Sequence, residues 1–298
     1  MPFALRREVI DFFESFALVQ VFPNCPVSSR TGVVAASSQR CEPGEMQQKQ
    51  ALCSQELEPA HNVVSWKNPI RTAVGWNDKY QIASTTLIIA VSNIKGGAGK
   101  TTTSIHLGQW YQQQGISVAV ADADPQGSAA NWCRFLDIES FLEPDSGVLV
   151  DRLLDLRESV DRIVVDCPGN EASIKDILDV ADAILIPCLP GGLDLHATNQ
   201  TLQLARRKQR AQQKRFAVLL FINRARKGTL LSSDVAEALR QQQEFSVAET
   251  TIYDRQAIAN MPGQETTVWD CRDRAAKESA REFASLFEEL ETLLSAYA

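Results

Sequence analysis

The seven cysteines, at 25, 41, 53, 133, 167, 188 and 271, are odd in number and form no Cys-x-x-Cys pair. That excludes a disulfide framework and a thiolate zinc site, and points to a reducing cytoplasm. Histidine is scarce: residues 61, 106 and 196 are the only three, and their spacing is not that of metal ligands. No apolar run approaches the ~18 residues of a membrane-spanning helix. The N-terminal stretch is a poor signal peptide, interrupted by Asp11 and Glu14 and stopped at Pro23. What remains is ordinary for a soluble globular chain: 298 residues, 44% hydrophobic and 22% charged. The net charge of −7 is unevenly spread, since residues 1–85 are balanced and the deficit falls on 86–298. Within that part, residues 195–233 hold nine basic residues and no acidic one.

Residues 1–85 and 86–298 differ in kind. After one short amphipathic stretch (Leu5, Val9, Phe12, Phe13, Phe16), the first part is rich in Pro, Ser, Gly and Gln without a sustained period. It reads as an irregular, flexible extension, because it buries too little apolar surface to offset its ordering entropy. The alternative is a regulatory or DNA-binding arm, for which it carries no motif. From residue 86, short apolar runs at 87–91, 118–121, 163–165, 183–186 and 217–222 alternate with stretches long enough for crossover helices, at 101–114, 173–180 and 195–213. Strands buried on both faces and joined by helices predict an α/β fold with a doubly wound, mostly parallel sheet. A last amphipathic helix is expected over 274–294, with Phe283, Leu286, Phe287, Leu290, Leu293 and Leu294 as its stripe.

The residues richest in chemistry are Lys95-Gly96-Gly97-Ala98-Gly99-Lys100-Thr101-Thr102, placed after the first strand and opening the first helix. Glycines let backbone N–H groups converge on an anion, and the helix N-terminus adds its partial positive charge. Lys100 would meet the β- and γ-phosphates of a nucleotide and the Thr101 hydroxyl would bind Mg²⁺. Two acidic strand ends follow: Asp122-Ala123-Asp124-Pro125-Gln126-Gly127-Ser128, and Asp166-Cys167-Pro168-Gly169 after an apolar run. A carboxylate at a strand's C-terminal end can hold hydrated Mg²⁺.

The phosphate loop has Ile94 where the usual first glycine of G-x-x-x-x-G-K-[ST] would fall, and an extra lysine, Lys95, follows. In this deviant Walker A loop, and in the D-x-D-P-Q-G-S segment, the chain resembles the ParA/MinD family of dimerising P-loop ATPases over about residues 86–298. The resemblance implies that Lys95 reaches across a dimer interface to the partner's nucleotide, as an arginine finger does. It implies that Asp124 positions or activates the attacking water, that Asp122 lies near the Mg²⁺ shell, and that Asp166 is a Walker B ligand. Asn223, at the end of the fifth run, would read the adenine edge; the alternative is a strand-capping Asn. The late segments around Arg255 and Pro262 would close over the base. ATP and Mg²⁺ are the expected cofactors.

Within the family, a membrane-cycling MinD-like member needs a basic amphipathic tail. This tail holds Glu282, Glu288, Glu289 and Glu291 and no Lys or Arg after Arg281, so no membrane is expected. No cysteine pair suits a bridging cluster, and a tyrosine-rich kinase tail is missing, since the tail has only Tyr297. The resemblance therefore implies a short-form ParA-type partition ATPase of plasmid or chromosome. It would pair on ATP, bind DNA non-specifically, associate with the nucleoid, and answer to a centromere- or cargo-binding partner that stimulates hydrolysis. A MinD-like positioning ATPase and an ATP-switched regulator or scaffold with negligible turnover stay open as alternatives. On a helix over 195–213, Arg206 and Arg210 would share a face with Lys214, a stripe able to contact DNA phosphates; the alternative is a solvated face.

Overall fold

The strands are hydrophobic on both faces, and the sheet they build is covered on both faces by helices. The computed structural model describes residues 86–212, 216–241 and 244–297, and only the backbone of 192, 193, 230–233 and 241. The expected extension over 1–85 and the stripe residue Lys214 lie outside the described residues. The strands are β1 (Leu87–Val91), β2 (Val118–Asp122), β3 (Glu139–Leu142), β4 (Arg162–Asp166), β5 (Ala183–Cys188), β6 (Ala217–Ala225) and β7 (Ser246–Tyr253). They form one sheet in the order β3-β2-β4-β1-β5-β6-β7, and every pairing is parallel. The helices are α1 (Lys100–Gln113), α2 (Ser128–Cys133), α3 (Ser146–Asp155), α4 (Glu171–Val180), α5 (Gly192–Gln212), α6 (Leu230–Gln241), α7 (Gln256–Asn260) and α8 (Arg274–Tyr297).

The period-2 alternation of each strand divides the core. Ile88, Ala90, Ile163, Val165, Ile184 and Leu220 face one layer, with Leu149 and Leu153 of α3, Ile174 and Ile177 of α4, and Leu202 of α5. Ile89, Val91, Val120, Val164, Leu185 and Phe221 face the other, with Ile105 and Trp110 of α1, Trp132 of α2, and Phe283, Phe287 and Leu290 of α8. The five strands foreseen from apolar runs are present, each with the same core residues.

Two strands and several helices were not foreseen. β3 and β7 are the two edges of the sheet. Glu139 and Ser140 in β3, and Glu249 and Thr250 in β7, interrupt any apolar run, because an edge strand presents part of its surface to water. The helices α2 and α7 are too short to show a period, and the amphipathic α3 and α6 were also missed.

Register places the chemistry. Asp122 of β2 and Val91 of β1 both pair with Asp166 of β4, so three neighbouring strands end at one level. The opposite end of the sheet is sealed by carboxylates. Asp182 accepts from Ile88 N and Arg157 Nη2, both at 3.0 Å, and Asp161 accepts from the Ser117 amide and hydroxyl at 3.1 and 2.6 Å.

α8 is tied to the sheet by a buried ionic cluster. Arg162, at the start of β4, gives Nη2 to Glu291 Oε2 at 2.9 Å and Nε to Oε1 at 3.2 Å, and Tyr111 Oη donates to the same Oε1 at 2.5 Å. Arg162 and Glu291 are 4% and 5% exposed, so neither charge has water to fall back on. Burial, then the Glu291 charge, push the Tyr111 phenol well above its usual range, so it stays a neutral donor. Removing one member of such a pair strands the other: Glu291→Ala is expected to cost about 3–5 kcal/mol in urea unfolding. Adding Arg162→Met should recover most of that loss, because the remaining buried charge is then gone.

Candidate functional site

A cleft of about 680 Å³ opens at the C-terminal ends of the strands, where open α/β sheets bind ligands. Its floor is the phosphate loop between β1 and α1, with Gly96, Gly97, Gly99, Lys100, Thr101 and Thr102 in its lining. Gly97 and Gly99 take φ of +73° and +94°, values that exclude most side chains. A Cβ on Gly99 would also lie 2.2 Å from Asn223 Nδ2. Glycine is therefore required at 99 by conformation and by space.

Thr101 and Asp166, both expected at the metal, are brought together: Thr101 Oγ1 donates to Asp166 Oδ2 at 2.7 Å. Ser104, one turn further along α1, donates to Asp166 Oδ1 at 3.0 Å. Sequence reading missed Ser104, although its i+3 spacing from Thr101 puts it on the same helix face. Asp166 is 1% exposed, and burial above all pushes its carboxyl up to about 7; the Thr101 and Ser104 hydroxyls and the Lys100 charge pull the other way. A buried carboxylate under-compensated by its neighbours suits a cation, and hydroxyl plus carboxylate is an all-oxygen donor set. No group of three or more His, Cys, Asp or Glu able to hold a metal exists among the described residues. The hydroxyl and carboxylate oxygens are the donor type that suits Mg²⁺, which takes one or two protein oxygens and completes its shell with water and phosphate.

The lysines are arranged differently. Lys100 Nζ folds back to the Lys95 carbonyl at 3.2 Å, whereas Lys95 Nζ lies 3.6 Å from Asp194 Oδ1 of α5. Asp124 lines the cleft with Gln126 and Ser128. Its side chain accepts from Gln126 N at 3.0 Å and its carbonyl from Gly127 N at 2.9 Å, which closes the turn into α2. Asp122 does not reach the cleft. It is fully buried, and its two oxygens accept from the Asp124 and Ala130 amides at 3.0 and 2.9 Å. In this structure Asp122 shapes the loop that presents Asp124.

Asn223 and Pro262 both line the cleft. The Asn223 side chain is turned to the phosphate loop: Nδ2 donates to Ala98 O at 2.8 Å and Oδ1 accepts from Arg224 N at 3.0 Å. Arg224 adopts φ +54°, an uncommon conformation outside glycine, and lines the cleft with Tyr253, Asp254, Arg255 and Ile258. Of these Arg224 and Arg255 stood in segments foreseen from sequence; the Arg255 guanidinium is held by Glu282 at 2.6 Å through Nη2.

The basic stripe is corrected. Arg206 is not turned to solvent but paired with Glu244, its Nε 2.6 Å from Oε1, and its side chain is 14% exposed. Lys208 is paired with Asp179 of α4 at 2.5 Å. The window lacks acids in sequence, yet the fold brings them from neighbouring elements. Arg207 and Arg210 are exposed on α5.

Comparison with known proteins agrees with this geometry. Residues 89–268 match the model of the CobQ/CobB/MinD/ParA nucleotide binding domain, and the chain belongs to that family. Relatives with partition and positioning names are among its matches. It is 35% identical over 139 residues to the maintenance of carboxysome distribution protein A of Halothiobacillus neapolitanus, covering 44% of this chain and 64% of that one. It is 29% identical over 135 residues to protein ParA of Rhizobium radiobacter, covering 44% and 61%. The chain thus spans about three fifths of the length of these relatives. The fold is shared with apo McdA of Cyanothece at a TM-score of 0.58 and 19% identity, over 69% of this chain and 99% of that one.

One pH effect follows from the buried carboxyl. Its folded value near 7 lies above the unfolded 3.8, so its contribution is most favourable in acid and is lost as pH rises through about 7. Asp166→Asn is therefore expected to raise the melting temperature of the nucleotide-free protein by several degrees at about pH 8 and much less at about pH 5. Thermal melts across that range check it; an equal gain at both pH values would refute the assignment.

Proposed function

We propose that the chain is a weak Mg²⁺-dependent ATPase that pairs on ATP, holds DNA without reading its sequence, and positions DNA or another cargo. The observation that carries this reading is the different placement of the two loop lysines. Lys100 lies back along the loop, where a nucleotide's phosphates would meet it. Lys95 is outside the cleft lining, and its side chain, paired with Asp194, is 44% exposed; in this reading it turns to a second copy's nucleotide. Thr101 and Asp166 would hold Mg²⁺, which when bound neutralises phosphate charge. Lys100 orients the β- and γ-phosphates through charge-assisted hydrogen bonds. Asp124, on the cleft wall, orients the attacking water, and Lys95 from the partner stabilises the charge on the transferred phosphoryl group. The names of the relatives, ParA and a carboxysome-distribution protein, support positioning of a large cargo, with a partner protein that stimulates hydrolysis.

A specific observation disfavours the membrane-cycling alternative. The apolar face of α8 is spent inside the protein: Phe283, Leu286, Phe287, Leu290 and Leu294 are all buried. Its polar face carries Glu282 and Glu289, which accept from Arg255 and from the Glu249 and Thr250 amides. Among the described residues, no helix is long and apolar enough to cross a membrane.

Two experiments test the reading. Lys100→Ala should abolish ATP binding in calorimetry, whereas Asp124→Ala should bind ATP and lose turnover. Lys95→Ala should also bind ATP and lose turnover, and mixing it with Asp124→Ala should restore part of it, since each mixed dimer keeps one intact composite site. For DNA, the ATP-bound protein should bind unrelated duplexes alike, with affinity falling steeply as salt rises. Arg207→Glu with Arg210→Glu should weaken that binding at least about tenfold, while Arg206→Glu should act mainly on stability because its partner is Glu244. Failure of the wild-type protein to bind DNA at low salt with ATP would leave the regulator or scaffold reading.

A further inference from the structure

The two amides that open the phosphate loop face into the protein. Ile94 N–H donates to Thr201 Oγ1 at 3.2 Å, and Lys95 N–H donates to Asn93 Oδ1 at 2.9 Å. The Asn93 amide nitrogen donates in turn to Pro187 O at 2.8 Å and to Thr198 Oγ1 at 3.1 Å. Asn93 is 1% exposed, and Thr198 and Thr201, both on α5, are fully buried. Their hydroxyl protons are committed elsewhere, Thr201 to Ala197 O at 3.2 Å and Thr198 to Cys188 Sγ at 3.5 Å. Each threonine is thereby oriented as an acceptor toward the loop. A hydrocarbon in its place would leave a buried donor unsatisfied.

The same helix reaches the side chain of Lys95, because Asp194 in its first turn is the ion-pair partner of Nζ. From the other side the loop is pressed by the turn after β4, since a Cβ on Gly169 would lie 3.2 Å from Ile94 O. Beyond Lys95 the surroundings open: a Cβ on Gly96 or Gly97 would meet nothing within 4 Å. Residues 93–95 are thus clamped, and the space beside residues 96–97 is open.

We propose that the N-terminal half of α5 is the holder of Lys95. Asn93, Thr198 and Thr201 are positioning residues that fix its main chain, and Asp194 keeps its ammonium on its own chain until a second copy's nucleotide is presented. This rests on the reading of Lys95 as the residue that acts on the partner's nucleotide. Clamping the main chain sets where the side chain can reach. Pairing with Asp194 and reaching across are alternatives for one ammonium, so the ion pair opposes assembly.

The test is a pair of variants measured alone and on a Lys95→Ala background. Thr201→Val should lower kcat about tenfold with KM for ATP changed less than about twofold, and Thr201→Ser should restore it, because the acceptor returns. On the Lys95→Ala background, Thr201→Val should add no further loss, since the two act as one unit. Asp194→Asn, a partly exposed site that does not threaten folding, should raise turnover at limiting protein concentration about two- to fivefold. Wild-type turnover in Lys95→Ala would overturn the reading of Lys95 itself. With Lys95→Ala impaired, an equal loss from Thr201→Val in both backgrounds, or none in either, overturns the clamp alone. Unchanged or lower turnover in Asp194→Asn overturns the holding of the side chain, and decides the matter if Thr201→Val does not fold.

Discussion

The Asp166 carboxylate is the point where sheet, helix and phosphate loop meet. It ends β4 at the level of Val91 and Asp122, so its position is set by strand register. It is buried and receives hydroxyls from two successive turns of α1, so α1 cannot shift along the sheet without orphaning a charge. The loop between β1 and α1 is thereby fixed at its C-terminal end. Asn223 fixes its flank through Ala98, and Asn93 with the threonines of α5 fixes its beginning. Burying an acid is unfavourable in the absence of a cation, and here the unfavourable term sits where a cation would relieve it.

The parts of the molecule legible in the sequence are those in which local chemistry and tertiary position coincide. Lys95–Thr102 announced a phosphate loop because its glycines, its lysine and its place between strand and helix serve the same end. Asp166 was legible because a doubly buried strand that ends in an acid has few other uses. The five inner strands were legible for the same reason, as unbroken apolar runs. β3 and β7 were not, because an edge strand carries Glu, Ser and Thr that a search for apolar runs rejects.

The basic window misled for a related reason. A stretch of 39 residues free of acids looks unpaired along the chain, but pairing is a property of space, and Glu244 and Asp179 arrive from other elements. Asp122 and Asn223 show the same limit inside the site. Asn223 lines the cleft and Asp122 does not reach it, and the side chains of both are consumed by backbone amides and carbonyls that no spacing rule displays. Residue type and position could be read; the direction in which a polar group spends its hydrogen bonds could not.

The strand order has a kinetic consequence. β1, which carries the phosphate loop, pairs with β4 and β5, so Val91 meets Asp166 and Leu185 only after long intervening stretches have been threaded into place. Among the described residues no local hairpin can form first, since every strand pairing there is parallel and requires a crossover. Sheets of this kind have high contact order and fold slowly. The phosphate loop thus has its shape only once the middle of the sheet has closed. Nucleotide-binding ability emerges late in folding, and a partly folded chain exposes the apolar surfaces of β1 and β4 before it gains any means of holding a ligand that would stabilise it.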